Sequence, residues 1–190
     1  MFILSKPGFA EQTINKSRFI AMAVQTVDER AVGSALRAFA SQHQNAHHLV
    51  YAFRLKTEQG IIQRFSDAAE PSGTAGMPVL KLIEGRDLIN VCMAVIRYYG
   101  GINLGTGGLA RAYGGTAKLA YDGATTQTFL EMQTINLTID YKQMDKMTRF
   151  LAKCNGSIIN KEFNQQIDLK LSLPTDEVSN FIGRFQPFSE

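Results

Sequence analysis

The chain has almost no cysteine. Cys92 and Cys154 are the only two among 190 residues, and a disulfide between them would have to bridge the two halves of the chain, for which nothing argues. Cys92 sits in the apolar run INVCMAVI and reads as a small buried hydrophobe; the pair fits a reducing compartment. Long apolar runs are missing as well. No uninterrupted stretch approaches the roughly 18 residues of a transmembrane helix, and the short apolar stretch after Met1 is too brief for a signal-peptide core. A cytoplasmic protein with no membrane partner is expected. Large charge imbalance is also absent. Twenty Lys and Arg against 17 Asp and Glu leave a formal net charge of +3, which permits an anionic partner without demanding one. No repeat or low-complexity segment is present.

What remains is a globular composition, 45% hydrophobic and 19% charged, in a chain long enough for one large or two small domains. Such a chain buries roughly 70% of its extended surface, a real core without staples. The charge is uneven. Residues 1–125 carry 13 Lys/Arg against 9 Asp/Glu, and residues 126–190 carry 7 against 8, so a basic surface is expected in the first part.

Residues 9–25 read as two strands joined near Asn15–Lys16. TVDERAVGSALRAFASQH follows as a helix, with Thr26 as its cap and Glu29 closing a capping box. HHLVYAFRL and GIIQRF form a hairpin around KTEQG. DAAEPSGTAGMP is a loop ending in a short helix, and LINVCMAVIRYY a central strand. A helix over 106–121 comes next. Its interior Gly114 and Gly115 each cost about 1 kcal/mol against alanine, which predicts close contact with a neighbouring backbone. After DGATTQ the pattern restarts as strand, helix, strand, strand and a short helix capped by Thr175. The fold class is α+β, with domains at 1–125 and 130–190.

Seven of the sixteen glycines fall in RYYGGINLGTGGLARAYGG, residues 97–115. Amides at the start of the 106–121 helix form a natural anion site, built from Gly105, Thr106, Gly107 and Gly108 with Arg97 and Arg111 as neutralising cations. The stretch is neither a Walker loop nor a dinucleotide fingerprint, so tight packing competes with anion binding as its explanation. Among His43, His47 and His48 no metal site is expected: adjacent strand histidines point to opposite faces. Asp67 and Glu70 lie on a loop held by Pro71, Gly73 and Gly76. Loop carboxylates of this kind are functional candidates; alternatively Glu70 holds turn amides, and Ser72 or Thr74 caps the short helix.

KSRFI (16–20), HHLVYAFR (47–54), SDAAEPSGTAG (66–76) and VIRYYGGINLGTGGLARAY (95–113) resemble, in order and spacing, the YigZ/IMPACT family over nearly the whole chain. The resemblance implies a first domain similar to the second domain of ribosomal protein S5, a fold shared with domain IV of elongation factor G and some small-molecule kinases. It implies a ferredoxin-like second domain similar to domain V of elongation factor G. The family carries no established catalytic residues, so none transfers. Its motif positions draw Lys16, Arg18 and His47 into the candidate site beside Glu70, Arg97 and the glycines. Eukaryotic relatives act in translational control through an added domain not expected here; for bacterial relatives it is the elongation-factor-like fold that implies an RNA or ribosome partner, and no cofactor is expected. A phosphoryl-transfer or phosphate-ester enzyme and a protein-interaction module are the alternatives. Two departures stand out. Asp67-Ala68-Ala69-Glu70-Pro71 replaces the usual Asp-Asp-Gly-Glu-Pro, and the chain closes with FQPFSE where a ferredoxin-like domain would add a last strand.

Overall fold

A computed structural model describes residues 1–185. The fold is α+β, and the chain forms two compact units, Met1–Phe129 and Leu130–Glu190.

The first unit is built on a five-stranded antiparallel sheet. Its strands are β2 (Gly8–Ile14), β3 (Ser17–Gln25), β4 (His48–Thr57), β5 (Gly60–Ser66) and β6 (Val91–Tyr98), in the order β2-β3-β6-β4-β5. β6 lies in the middle, where its continuous apolar run belongs, and residues 91–97 are all buried. The β2–β3 hairpin turns on Asn15 and Lys16, both at positive φ (45° and 65°), as a two-residue turn requires to follow the strand twist. Helix α1 (Glu29–Ser41) covers one face through Val32 and Phe39. Helices α2 (Gly76–Gly85) and α3 (Gly105–Asp122) cover the other. Along α3, Leu109, Ala112, Tyr113, Thr116, Ala117 and Ala120 are buried, the three-four spacing of a helix lying on a sheet. Tyr113 meets Phe19 edge-on, ring centroids 5.3 Å apart.

Sequence patterning missed one pair of strands: β1 (Phe2–Lys6) and β7 (Thr125–Thr128), which pair with each other outside the main sheet. β7 reads TTQT and is exposed throughout, so it carries no alternation to detect. Two local expectations in this unit also need correction. α1 is capped by Asp28, whose carboxylate accepts from the Ala31 amide at 2.6 Å, while Thr26 is buried with its hydroxyl unpaired. Gly114 and Gly115 do not mark forbidding contacts. A Cβ on Gly114 would stand 3.4 Å from Pro78, and one on Gly115 3.8 Å from Gln12, ordinary van der Waals separations. Within 97–115 the glycine that backbone approach does demand is Gly100, where a Cβ would overlap the Lys16 carbonyl, and the close backbone contact of α3 falls instead on Gly8 of β2, where a Cβ would overlap the Ala120 carbonyl.

The second unit has a three-stranded antiparallel sheet of β8 (Met132–Ile139), β9 (Ser157–Phe163) and β10 (Ile167–Pro174), with β10 central. Helices α4 (Met144–Lys153) and α5 (Val178–Phe185) pack on one face through Met147, Leu151, Phe181 and Phe185. Thr175 does not cap α5. It opens a 3-10 turn and donates its hydroxyl to the Glu131 carbonyl. The expected absence of a last strand concerns residues 186–190, outside the described residues.

Candidate functional site

The conspicuous motif residues meet at the carboxyl end of β6. An arginine at the end of a strand buried on both faces must be paired, and Arg97 is. Its Nη1 donates to Glu70 Oε1 at 2.7 Å, with both side chains only 5% exposed. Its Nη2 donates to Ser17 Oγ at 3.3 Å, and its guanidinium lies over the rings of Phe19 and Tyr99. Tyr113 donates its hydroxyl to the same Glu70 oxygen at 2.6 Å. Burial first, and then the Glu70 hydrogen bond and charge, push the Tyr113 phenol well above its ordinary range. Ser17, fully buried, also accepts from the Gly100 amide at 3.1 Å. His47 accepts from the Tyr99 amide at 3.2 Å, and His48 Nδ1 donates to the Ala68 carbonyl at 2.8 Å. One network therefore ties the 66–76 loop, β3, β6 and α3 together.

The loop itself is held by Asp67. Its carboxylate accepts from the amides of Gly73 (2.8 Å), Ala75 (3.0 Å) and Gly76 (2.7 Å). Burial raises its affinity for a proton, but those three bonds outweigh it and hold the carboxyl below its usual range. Asp67, rather than Ser72 or Thr74, therefore supplies the cap of α2. Thr74 donates to the Pro71 carbonyl at 2.6 Å, and Ser72 is exposed. Ala68 and Ala69 both adopt positive φ, 49° and 67°, a left-handed conformation costing roughly 1–2 kcal/mol per non-glycine residue. The departure from an Asp-Gly pair thus falls where glycine fits best, and the surrounding bonds keep the loop's shape without it.

Beyond this network lies the exposed mouth of α3. Gly105 (φ 68°), Thr106 and Gly107 face solvent, and Leu104 at the N-cap position supplies no side-chain bond to the first turn. Arg111 folds back over that turn, its Nη1 3.5 Å from where a Gly107 Cβ would stand. A groove of about 510 Å³ continues from here, lined by Gln12, Asn15, Leu104, Gly108, Arg111 and Gly115 among others.

The structure thus divides the expected site. Gly105, Thr106, Gly107, Gly108 and Arg111 are gathered at one edge, Asn15 of the β2–β3 turn lines the same groove, and Lys16, next in that turn, has its backbone against Gly100. Arg97 is no anion ligand there, because Glu70 and Ser17 occupy it inside the protein. Arg18 points to the α1 side of the sheet, in a bidentate pair with Glu11 at 2.6 and 2.8 Å. Asp67 and Glu70 serve the fold, both oxygens of Asp67 and Oε1 of Glu70 being engaged. Among the described residues no cluster of His, Cys, Asp or Glu could hold a metal ion, and no helix is long and apolar enough to cross a membrane. Sequence reasoning missed a second feature, a groove of about 350 Å³ in the second unit lined by Lys142, Lys146, Arg149, Lys153 and Arg184. Its signal was the four-three-four spacing of the first four, masked by the near-neutral charge of that half.

Comparison with known proteins finds relatives over nearly the whole chain. Residues 15–121 match the Impact N-terminal domain, and residues 137–189 match a domain of unknown function, DUF1949. IMPACT family member YigZ of Escherichia coli (strain K12) is 35% identical over 98% of this chain and 92% of its own. IMPACT family member YvyE of Bacillus subtilis (strain 168) is 30% identical over 95% of this chain and 82% of its own. A crystal structure of a hypothetical protein superposes with a TM-score of 0.70 at 34% identity, covering 96% of this chain and 89% of that one.

Proposed function

The chain belongs to the IMPACT family, and from that premise we propose a regulatory role in translation, exercised by binding RNA or the ribosome through the first unit. The observation that carries the reading is the exposed, uncapped first turn of α3 with the Arg111 guanidinium folded over it. Unpaired amides, aligned peptide dipoles and a nearby cation together favour a phosphate. Lys16 at the hairpin tip extends the positive edge. Such contacts give affinity without sequence preference and depend strongly on salt.

The test is fluorescence anisotropy with generic single- and double-stranded RNA across a salt series, beside ribosome co-sedimentation. Binding at micromolar protein is expected. The Lys16→Ala, Arg111→Ala double variant should lower the salt slope by about 1.4 on single strands, the share of two phosphate contacts. Absence of binding to both RNA and ribosomes overturns the proposal, and full binding by the double variant removes the α3 mouth from it.

A further inference from the structure

The second unit segregates its charge. Residues 126–190 hold seven Lys and Arg against eight Asp and Glu, yet five of those seven cations line one groove, with Asp145 as its single carboxylate. Lys142 lies in the 3-10 turn before α4. Lys146, Arg149 and Lys153 continue its row at helical spacing on one face of the helix, and Arg184 joins from α5. All five are exposed, and among the described residues none is shown in an ion pair. Arg184 lies over the Phe150 ring, 4.5 Å from its centroid, presenting a guanidinium plane at the groove. The open face of the sheet contrasts with this. Its pocket places Lys170 among the carboxylates of Glu162 and Asp168.

We propose that this α4 groove, rather than the sheet face, binds the sugar–phosphate backbone of single-stranded RNA. Lys146 to Lys153 rise about 10 Å along the helix, so the three cations are spread in a row along which a strand can run rather than gathered on one phosphate. A row of cations with a flat guanidinium beside it matches a strand whose bases can stack while its backbone is tracked. No large apolar side chain among the groove residues is fully exposed, which sets it apart from a lipid-inserting surface. This inference is independent of the reading of the first unit.

The experiment uses the full chain, the Lys146→Gln, Arg149→Gln, Lys153→Gln triple variant and the Lys16→Ala, Arg111→Ala double variant. Unchanged thermal melting of each variant, followed by circular dichroism, establishes that it folds. The probes are a short oligouridine, a duplex RNA of equal length, a polyglutamate peptide and vesicles of phosphatidylserine and phosphatidylcholine, starting at about 50 mM salt. The triple variant should lose about 2 from the salt slope on oligouridine, the share of three phosphates on a single strand, and bind at least about tenfold more weakly at low salt. If its affinity and slope match the parent's while the double variant is impaired, the α4 proposal falls and the α3 reading stands. The reverse pattern supports α4 and removes α3. Equal or tighter parental binding to duplex, polyglutamate or vesicles overturns the assignment to single-stranded RNA, as does no binding to oligouridine.

Discussion

Arg97 shows how a residue can be conspicuous for the wrong reason. It ends an apolar run whose members are all buried, and in that setting an arginine is a paired side chain before it is a ligand. The buried strand was legible in INVCMAVIRYY, but Arg97 at its end read as a cation for the anion site. Its partner was not legible, because Glu70 lies 27 positions away on a loop and nothing local links the two. Replacing Arg97 by methionine leaves the Glu70 carboxylate buried beside Tyr113 without its countercharge. Removing one member of such a pair typically costs about 3–5 kcal/mol, whereas replacing both by neutral groups costs far less. Arg97→Met should therefore lower the stability of the first unit by about 3 kcal/mol or more, and Arg97→Met with Glu70→Gln should recover a substantial part. Urea unfolding followed by tyrosine fluorescence measures both. A single variant within about 0.5 kcal/mol of the parent would mean the pair is not the keystone its geometry describes.

At the scale of elements, the strong periodic segments were readable: the β2–β3 and β4–β5 hairpins, the central β6 and all five helices follow from alternation, helical spacing and turn residues. The missed β1–β7 pair has a physical reason, since a four-residue polar strand gains its place from its partner rather than from its own pattern. The glycines divide in a way no sequence displays. Glycine density marked residues 97–115, but which glycine meets a backbone depends on a hairpin over eighty residues earlier in the chain. At Gly100 a methyl group would run into the Lys16 carbonyl, and at Gly114 it would rest against Pro78 at 3.4 Å. Gly114→Ala should accordingly stabilise the first unit by up to about 1 kcal/mol through helix propensity. Gly100→Ala should destabilise it by about 1–3 kcal/mol, the usual range for overpacking. Thermal and urea denaturation of the two variants decide the matter. A loss of stability at Gly114→Ala would restore the close-packing explanation for the α3 glycines.

For the whole molecule, composition pointed to a basic surface in the first part, and averaging hid the second. Residues 126–190 sum to a charge of −1 (7 minus 8) while holding a row of five cations, because carboxylates other than Asp145 lie elsewhere: Asp140 and Asp168 in side-chain bonds, Asp176 and Glu177 on the turn before α5. A sum over a segment erases a dipole, and only the folded helix reveals it. The α3 mouth and the α4 groove belong to different compact units, so on an RNA too short to reach both their contributions should be independent. On a single strand long enough to contact both surfaces at once, combining the α3 double variant with the α4 triple variant should lower the salt slope by about 3.5, the share of five phosphate contacts. It should leave only weak binding at low salt. A combined variant that binds no more weakly than the weaker of its two parents would show that one of the two surfaces makes no contact with RNA. Their separate slopes identify which one.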